Sequence, residues 1–166
     1  MEEDLTLPIC ALCAKSGVLC NACEAKLQEG KISGLDVELA KILYKIGEGG
    51  LGFERGIDTK NFIIILAKKD QVGKIIGKGG KNIKLLSKKF KKPVRVIGTD
   101  SLQKMVYDFV YPAKILGIGL VYEEDGSTRY KVTIDKRDKN KLRMNIGEIK
   151  EIISSISDSE IAISLE

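Results

Sequence analysis

The chain of 166 residues is long enough for one medium domain or about two or three small ones. With 43% hydrophobic and 31% charged residues it can bury a core, which excludes a wholly disordered chain. There is no histidine, which removes the commonest general base and all His-containing metal sites; the net charge of +5 favours an anionic partner. We expect no enzymatic activity and no small-molecule substrate.

The longest apolar runs, residues 62–67 and 115–122, are too short to cross a bilayer and are predicted to be buried strands. The N-terminal sequence MEEDLTLP is acidic and lacks the basic and then apolar order of a secretory signal. We therefore expect a cytoplasmic protein without membrane contact.

All four cysteines lie near the N-terminus in the pattern C-x2-C-x6-C-x2-C, at Cys10, Cys13, Cys20 and Cys23. Two thiolate pairs on tight turns can converge on one tetrahedral ion. Two disulfides or a redox-active C-x-x-C pair are alternatives, but nothing in the sequence indicates secretion, and two copies this close fit a metal better. We predict a zinc module over residues 1–32, with one structural Zn²⁺ held by four sulfurs.

The second segment, residues 33–98, begins with a helix that Ser33 caps and that Asp36 completes as a capping box. Its apolar residues recur at helical spacing, at Leu35, Leu39, Ile42 and Ile46. The helix ends in the glycines of residues 47–50. An extended stretch over residues 53–58 and a β-rich run over residues 61–68 follow.

The segment from Lys68 to Arg95 carries eleven Lys and Arg residues and one acid, Asp70, so its charge is +10 and that of the remaining chain is −5. Runs of lysine are usually only a solvated surface. Here the run coincides with a glycine loop, and this coincidence favours nucleic acid as the partner.

The centre of this basic segment reads VGKIIGKGGKNI over residues 72–83. A Walker loop has no register here, and a dinucleotide fingerprint would need glycine in place of Asn82. The remaining pattern, I-G-x-x-G-x-x-I between two helices, is that of a KH motif, whose glycines bring the backbone close to a sugar-phosphate chain. The helix after Gly80 would direct free amides at the phosphates. A plain glycine turn between two helices is the alternative.

The helix after the loop is predicted to have two faces. Ile83, Leu86 and Phe90 would pack on the sheet, and a basic stripe would be exposed at Lys81, Lys84, Lys88 and Lys91. Residues 94–97 would add a strand, and with only 5% aromatic residues we expect little base stacking in this segment. The predicted RNA-binding residues are Lys74, Ile76, Gly77, Lys78, Gly79, Gly80, Lys81, Asn82, Lys84 and Lys88.

The third segment, residues 99–166, repeats the order of the second, which indicates an internal duplication. A helix over residues 102–109 ends at Pro112, a hairpin turns at Asp125-Gly126, a helix covers residues 146–156, and a strand covers residues 160–165. The best register places residues 144–147 where G-x-x-G belongs and keeps only Gly147, with Glu148 and Glu151 beside it. We therefore expect this unit to be degenerate and to contribute little to RNA binding.

Residues 34–166 resemble the small archaeal NusA-like transcription factors, which consist of two tandem KH units of the prokaryotic type. The string IGKGGKNIK at residues 76–84 and the YPAK junction at residues 111–114 carry the likeness. The cysteine module resembles an N-terminal zinc extension found on some members. The resemblance implies binding of single-stranded RNA, such as nascent transcript, in transcription elongation or termination, with RNA polymerase or other transcription machinery as protein partner.

The expected architecture is α+β: a zinc module (1–32), a first type II KH unit (33–98) and a degenerate second KH unit (99–166). Chelation is expected to unfold residues near 8–25 and to leave the KH units folded. Two other functions remain open, since fold does not fix pathway. One is an RNA-processing or ribosome-associated adaptor, and the other is a protein-interaction scaffold.

Overall fold

The computed structural model describes residues 7–157 and 160–166, which fall into two compact units divided between Asp100 and Ser101. Both units combine helices with a three-stranded sheet. The predicted boundary at residue 32 lies inside the first unit, and most of the acidic N-terminal sequence, residues 1–6, lies outside the described residues.

The first unit contains five α-helices, a short 3₁₀ helix at Lys78–Gly80 and three strands among its described residues. In chain order the α-helices and strands are α1 (Ala11–Ser16), α2 (Asn21–Gln28), α3 (Gly34–Gly47), β1 (Arg55–Asp58), β2 (Ile63–Ala67), α4 (Lys69–Ile76), α5 (Lys81–Phe90) and β3 (Val94–Gly98). The sheet order is β1-β2-β3, in which β1 runs antiparallel to β2 and β2 runs parallel to β3.

The start of α3 is fixed by the predicted capping box. The Asp36 amide donates to Ser33 Oγ at 3.1 Å, and the Ser33 amide donates to Asp36 Oδ2 at 2.9 Å. The other carboxylate oxygen of Asp36 accepts from the Gly56 amide at 2.6 Å. The buried Asp36 side chain therefore both caps the helix and ties it to β1, because each oxygen has a backbone donor.

The core of the first unit includes the cysteine segment. Leu39 and Leu43 of α3 are fully buried and belong to one apolar cluster with residues of β2, α4 and α5. Cys13 and Cys23 are 2% exposed and belong to the same cluster. The cysteine segment therefore shares a core with the sheet and is not packed as a lobe of its own.

The second unit contains α6 (Leu102–Val110), β4 (Ile115–Tyr122), β5 (Thr128–Ile134), α7 (Ile146–Ser157) and β6 (Glu160–Leu165). A short 3₁₀ helix, Lys136–Lys141, precedes α7. The sheet order is β4-β5-β6, with β4 antiparallel to β5 and β5 parallel to β6, so the strand pairing is the same as in the first unit.

The predicted β4–β5 hairpin is present. Asp125 Oδ1 accepts from the Ser127 amide at 2.9 Å, and Gly126 has φ 86°. Phe109 and Ile134 are fully buried in this unit's core. In the part of the chain that the structure describes, no helix has the length and apolar character that a membrane span needs.

Candidate nucleic-acid interface and cysteine cluster

The GKGG loop joins α4, which ends at Ile76, to α5, which begins at Lys81. Gly77, Gly79 and Gly80 have φ of 78°, 64° and 76°, a region that other residues rarely adopt. The Gly77 amide donates to Gly73 O at 3.0 Å, and the Gly80 amide donates to Gly77 O at 3.1 Å. Three glycines in this conformation turn the chain sharply between the helices.

Asn82 holds the loop from the side of α5. Its Nδ2 donates to the carbonyl oxygen of Lys74 at 3.3 Å, which links the first turn of α5 to the end of α4. A Cβ on Gly77 would lie 2.8 Å from the Asn82 side chain. Only glycine therefore fits at position 77 next to the Asn82 amide. The KH pattern marks both positions in sequence but does not show that they touch.

The outer side of the loop is open. A Cβ on Gly79 or Gly80 would meet no atom within 4 Å, and Lys78 and Lys81 are exposed. Gly80 is the N-cap residue of α5, and no side chain caps the helix there. The start of α5 therefore lies at an open, positively charged surface; the Lys81 amide donates to Lys78 O, but no side chain caps the amides that follow, and such helix starts bind phosphate groups.

Helix α5 has the two faces that its sequence predicts. Leu86 is fully buried, and Ile83 and Phe90 pack against the core. The four lysines of the basic stripe are all exposed, at Lys81, Lys84, Lys88 and Lys91. Lys74 is exposed and Ile76 is half-buried. All the predicted RNA-binding residues therefore lie on the segment from α4 to α5.

Gln71 is a supporting residue that the sequence pattern does not reveal. Its side chain is 5% exposed, and Oε1 accepts a hydrogen bond from the Gly52 amide at 3.1 Å. This contact attaches the segment after α3 to α4. A buried side-chain amide needs a hydrogen-bond partner. The only sign of this role in the sequence is that Gln71 is a polar residue on the apolar side of α4.

The second unit differs from the predicted register at its loop. Helix α7 begins at Ile146, and Asn145 Oδ1 accepts from the Glu148 amide at 2.7 Å, as an N-cap residue does. The four residues before the helix are therefore 142–145, and Gly147 lies within the first turn. Unlike GKGG, this loop, Leu-Arg-Met-Asn, contains no glycine, and its Met144 is buried.

The four cysteines come together as predicted, with all Sγ atoms within 4.8 Å of one another. Cys10 and Cys20 are the N-cap residues of α1 and α2, so each C-x-x-C pair spans a helix start and not a tight turn. The Cys20 amide donates to Cys13 Sγ at 3.1 Å, and the Cys10 amide donates to Cys23 Sγ at 3.4 Å. Sulfurs around a tetrahedral zinc ion are about 3.8 Å apart, since the Zn–S bond is about 2.3 Å, so the cluster fits a metal ion.

The thiols of this cluster influence one another's ionisation. The Cys23 amide, with smaller effects from the Cys13 and Cys23 thiols, lowers the pKa of Cys20 to about 6. The Cys20 amide lowers the pKa of Cys13, but the Cys10 thiol and burial outweigh it and raise this pKa to about 12. Without a cation, neighbouring thiolates resist joint ionisation, and a bound divalent ion removes that penalty.

Residues 35–111 match the family model described as "KH domain". The match begins in α3, covers the order helix, strand, strand, helix, helix, strand together with the GKGG loop, and continues through α6 at the start of the second unit. A KH domain of type II is therefore present in this segment, and its presence indicates binding of nucleic acid, in particular RNA.

A solved structure, "Crystal structure of APE1850", is similar to this chain with a TM-score of 0.52 and 23% sequence identity. The match covers 75% of this chain and 93% of that chain. At this identity the similarity concerns the fold alone. A search of curated proteins finds no significant match.

Proposed function

We propose that this protein is a NusA-like transcription factor that binds single-stranded RNA, such as nascent transcript, and acts in elongation or termination. The observation that carries the proposal is the open GKGG loop at the uncapped start of α5, beside four exposed lysines. The loop presents backbone amides and positive charge together, so it fits a sugar-phosphate chain better than a small metabolite. In this role the protein is a non-catalytic, cytoplasmic binding protein.

The second unit supports the NusA-like part of the proposal. Its order of helix, strand, strand, 3₁₀ helix, helix and strand and its sheet pairing correspond to those of the first unit, with the 3₁₀ helix in the position of α4. We interpret it as a second KH unit whose loop has lost the glycines. The similarity to the solved structure covers 75% of the chain and so extends past Tyr111, where the KH match ends.

The ion that fits the cysteine cluster best is zinc. Four sulfur donors within 4.8 Å of one another suit Zn²⁺, which sulfur ligands bind tetrahedrally, and iron is the main competitor for such a site. Cys10, Cys13, Cys20 and Cys23 would hold the ion, which would stabilise the fold and have no open coordination position. Metal analysis of protein purified under reducing conditions should find one zinc ion per chain; iron or two disulfides would contradict this assignment.

Crosslinking in cells followed by sequencing of the bound RNA, together with identification of co-purified proteins, tests the functional proposal. The proposal predicts nascent transcripts and RNA polymerase, and it predicts that Lys78→Asp/Gly79→Asp protein recovers little RNA. Recovery of ribosomal particles or nuclease complexes would instead favour an adaptor in RNA processing or translation. Protein partners that remain at high salt, without bound RNA, would favour a scaffold.

A further inference from the structure

A groove in the second unit lies between α6 and the start of β4 and has a volume of about 540 Å³. The side chains of Tyr107, Tyr111, Lys104 and Lys114 line it, together with Ile115 and Ile118. All of these residues belong to one short segment of the second unit. They include none of the residues of the loop before α7.

The two tyrosines are the unusual feature of this groove. Tyr107 is 52% exposed and Tyr111 is 50% exposed, and the two rings lie one helical turn apart with centroids 6.2 Å apart and planes tilted by 47°. The chain has few aromatic residues, and most of its phenylalanines are buried or packed against a core. Accessible ring faces in this arrangement offer a stacking surface for planar groups.

The charges at the groove favour an anionic occupant. Lys104 and Lys114 line it, and none of its described lining residues is acidic. The carboxylate of Asp138 accepts from the Lys114 amide at 2.9 Å and forms an ion pair with Lys141 at 3.1 Å, so it is already engaged. Cations beside exposed aromatic rings are the combination that binds single-stranded nucleic acid.

We propose that this groove is a second contact for single-stranded RNA, in which a base stacks on Tyr107 or Tyr111 and the two lysines contact flanking phosphates. The proposal rests on the proposed RNA-binding function, because the KH loop of the first unit supplies the primary grip. The Leu-Arg-Met-Asn loop of the second unit has no glycine and so cannot approach RNA as the GKGG loop does. The proposal gives the second unit a stacking contact instead.

The test compares Tyr107→Ala with Tyr107→Phe for binding of a long single strand and of a strand of about four nucleotides, the length that a G-x-x-G loop holds. Loss of one stacked base should weaken binding of the long strand roughly 5- to 100-fold in Tyr107→Ala. Tyr107→Phe keeps the ring and should bind like the wild type. The short strand should bind all three proteins equally.

The matched control is Tyr122→Ala, which removes a tyrosine of the same unit that is 76% exposed and lies outside the groove. It should leave binding unchanged. The second unit carries ten Lys and Arg residues against eleven Asp and Glu residues, so its overall charge attracts RNA little. Because Tyr107 is uncharged and Lys104 and Lys114 remain in the groove, Tyr107→Ala should lower the affinity without changing the slope of log affinity against log salt concentration.

Crosslinking of wild-type protein to 4-thiouridine RNA gives a second readout that needs no variant. Crosslinks at Tyr107 or Tyr111 would support the proposal, and crosslinks confined to the α4–α5 segment would overturn it. Equal affinity of wild type and Tyr107→Ala for the long strand would also overturn it. If the wild type bound neither strand, the primary RNA-binding function itself would be wrong, which is a separate outcome.

Discussion

A Cβ on Gly77 would lie 2.8 Å from the side-chain amide of Asn82, and Asn82 in turn donates a hydrogen bond to Lys74 O at 3.3 Å. The two residues therefore fit as a pair. The absent side chain at Gly77 leaves room for the amide that fastens α5 to the end of α4. The open side of the loop, at Gly79 and Gly80, is left for a ligand.

This relationship predicts that glycine substitutions in the loop differ in cost. Gly77 has φ 78° and ψ 167°, a conformation almost restricted to glycine, so Gly77→Ala adds a clash to strain of about 1 to 3 kcal/mol. Gly79 has φ 64° and ψ 18° and open space around it, so Gly79→Ala should cost only about 1 kcal/mol. Urea unfolding of both variants gives the two values. Equal costs would show that the Asn82 contact is unimportant.

Removal of the proposed zinc ion is predicted to destabilise the whole first unit. Cys13 and Cys23 share an apolar cluster with Leu39 and Leu43, so release of the ion frees residues that help to bury α3. Metal binding and folding are coupled in such sites. Amide hydrogen exchange with and without a chelator should show faster exchange in α3 and β2.

The control for this measurement is the second unit, whose buried Val132 and Ile134 lie outside that cluster. Their amides should exchange at the same rate with and without the chelator. Protection of α3 that survives chelation would instead support the expectation from the sequence, in which only residues near the cysteines unfold.

The second unit should lose stability in acid through Asp135. Its carboxylate is buried and accepts hydrogen bonds from the Arg137 side chain and amide, which lower its pKa to about 2. A pKa that folding lowers stabilises the protein above the unfolded value, near 3.8, and this contribution is lost as the pH falls towards 2.

Asp135→Asn should therefore melt at a lower temperature than the wild type at neutral pH, and the difference should shrink between about pH 4 and pH 2. Glu124→Gln is the control, since Glu124 is exposed in the β4–β5 hairpin turn. A difference for Asp135→Asn that stayed constant with pH would show that the carboxylate's charge is not the source of the stabilisation.

Local patterns were sufficient to predict much of the fold and the site. The capping box at Ser33 and Asp36, the stripe of lysines on α5 and the β4–β5 hairpin all depend on residues close in sequence. The convergence of the four cysteines could also be predicted, because two C-x-x-C pairs this close in sequence are typical of thiols that bind one metal ion together.

Features that depend on long-range packing could not be predicted from these patterns. The burial of Cys13 and Cys23 in the same core as Leu39 joins elements distant in sequence. The sequence register places the loop of the second unit two residues too late, because it aligns Gly147 with a loop glycine, whereas capping by Asn145 determines where α7 begins. The groove at Tyr107 could not be predicted, because its prediction depends on which face of α6 is exposed.

The central claim is that the GKGG loop binds RNA and that the corresponding loop of the second unit does not. Lys78 and Arg143 provide a matched pair, since both are exposed and each lies in the four residues before a helix. Lys78→Asp and Arg143→Asp change the charge equally, so any difference reflects the loop that carries the residue.

The most direct measurement is the affinity of the two variants for single-stranded RNA at one ionic strength, with melting temperatures measured in parallel. Lys78→Asp should abolish most binding, and Lys78→Asp/Gly79→Asp should do so more completely, because aspartate tolerates the left-handed conformation of residue 79 while repelling phosphate. Arg143→Asp should bind nearly as the wild type does. Equal losses in Lys78→Asp and Arg143→Asp at matched stability would contradict the assignment of the RNA grip to the first unit.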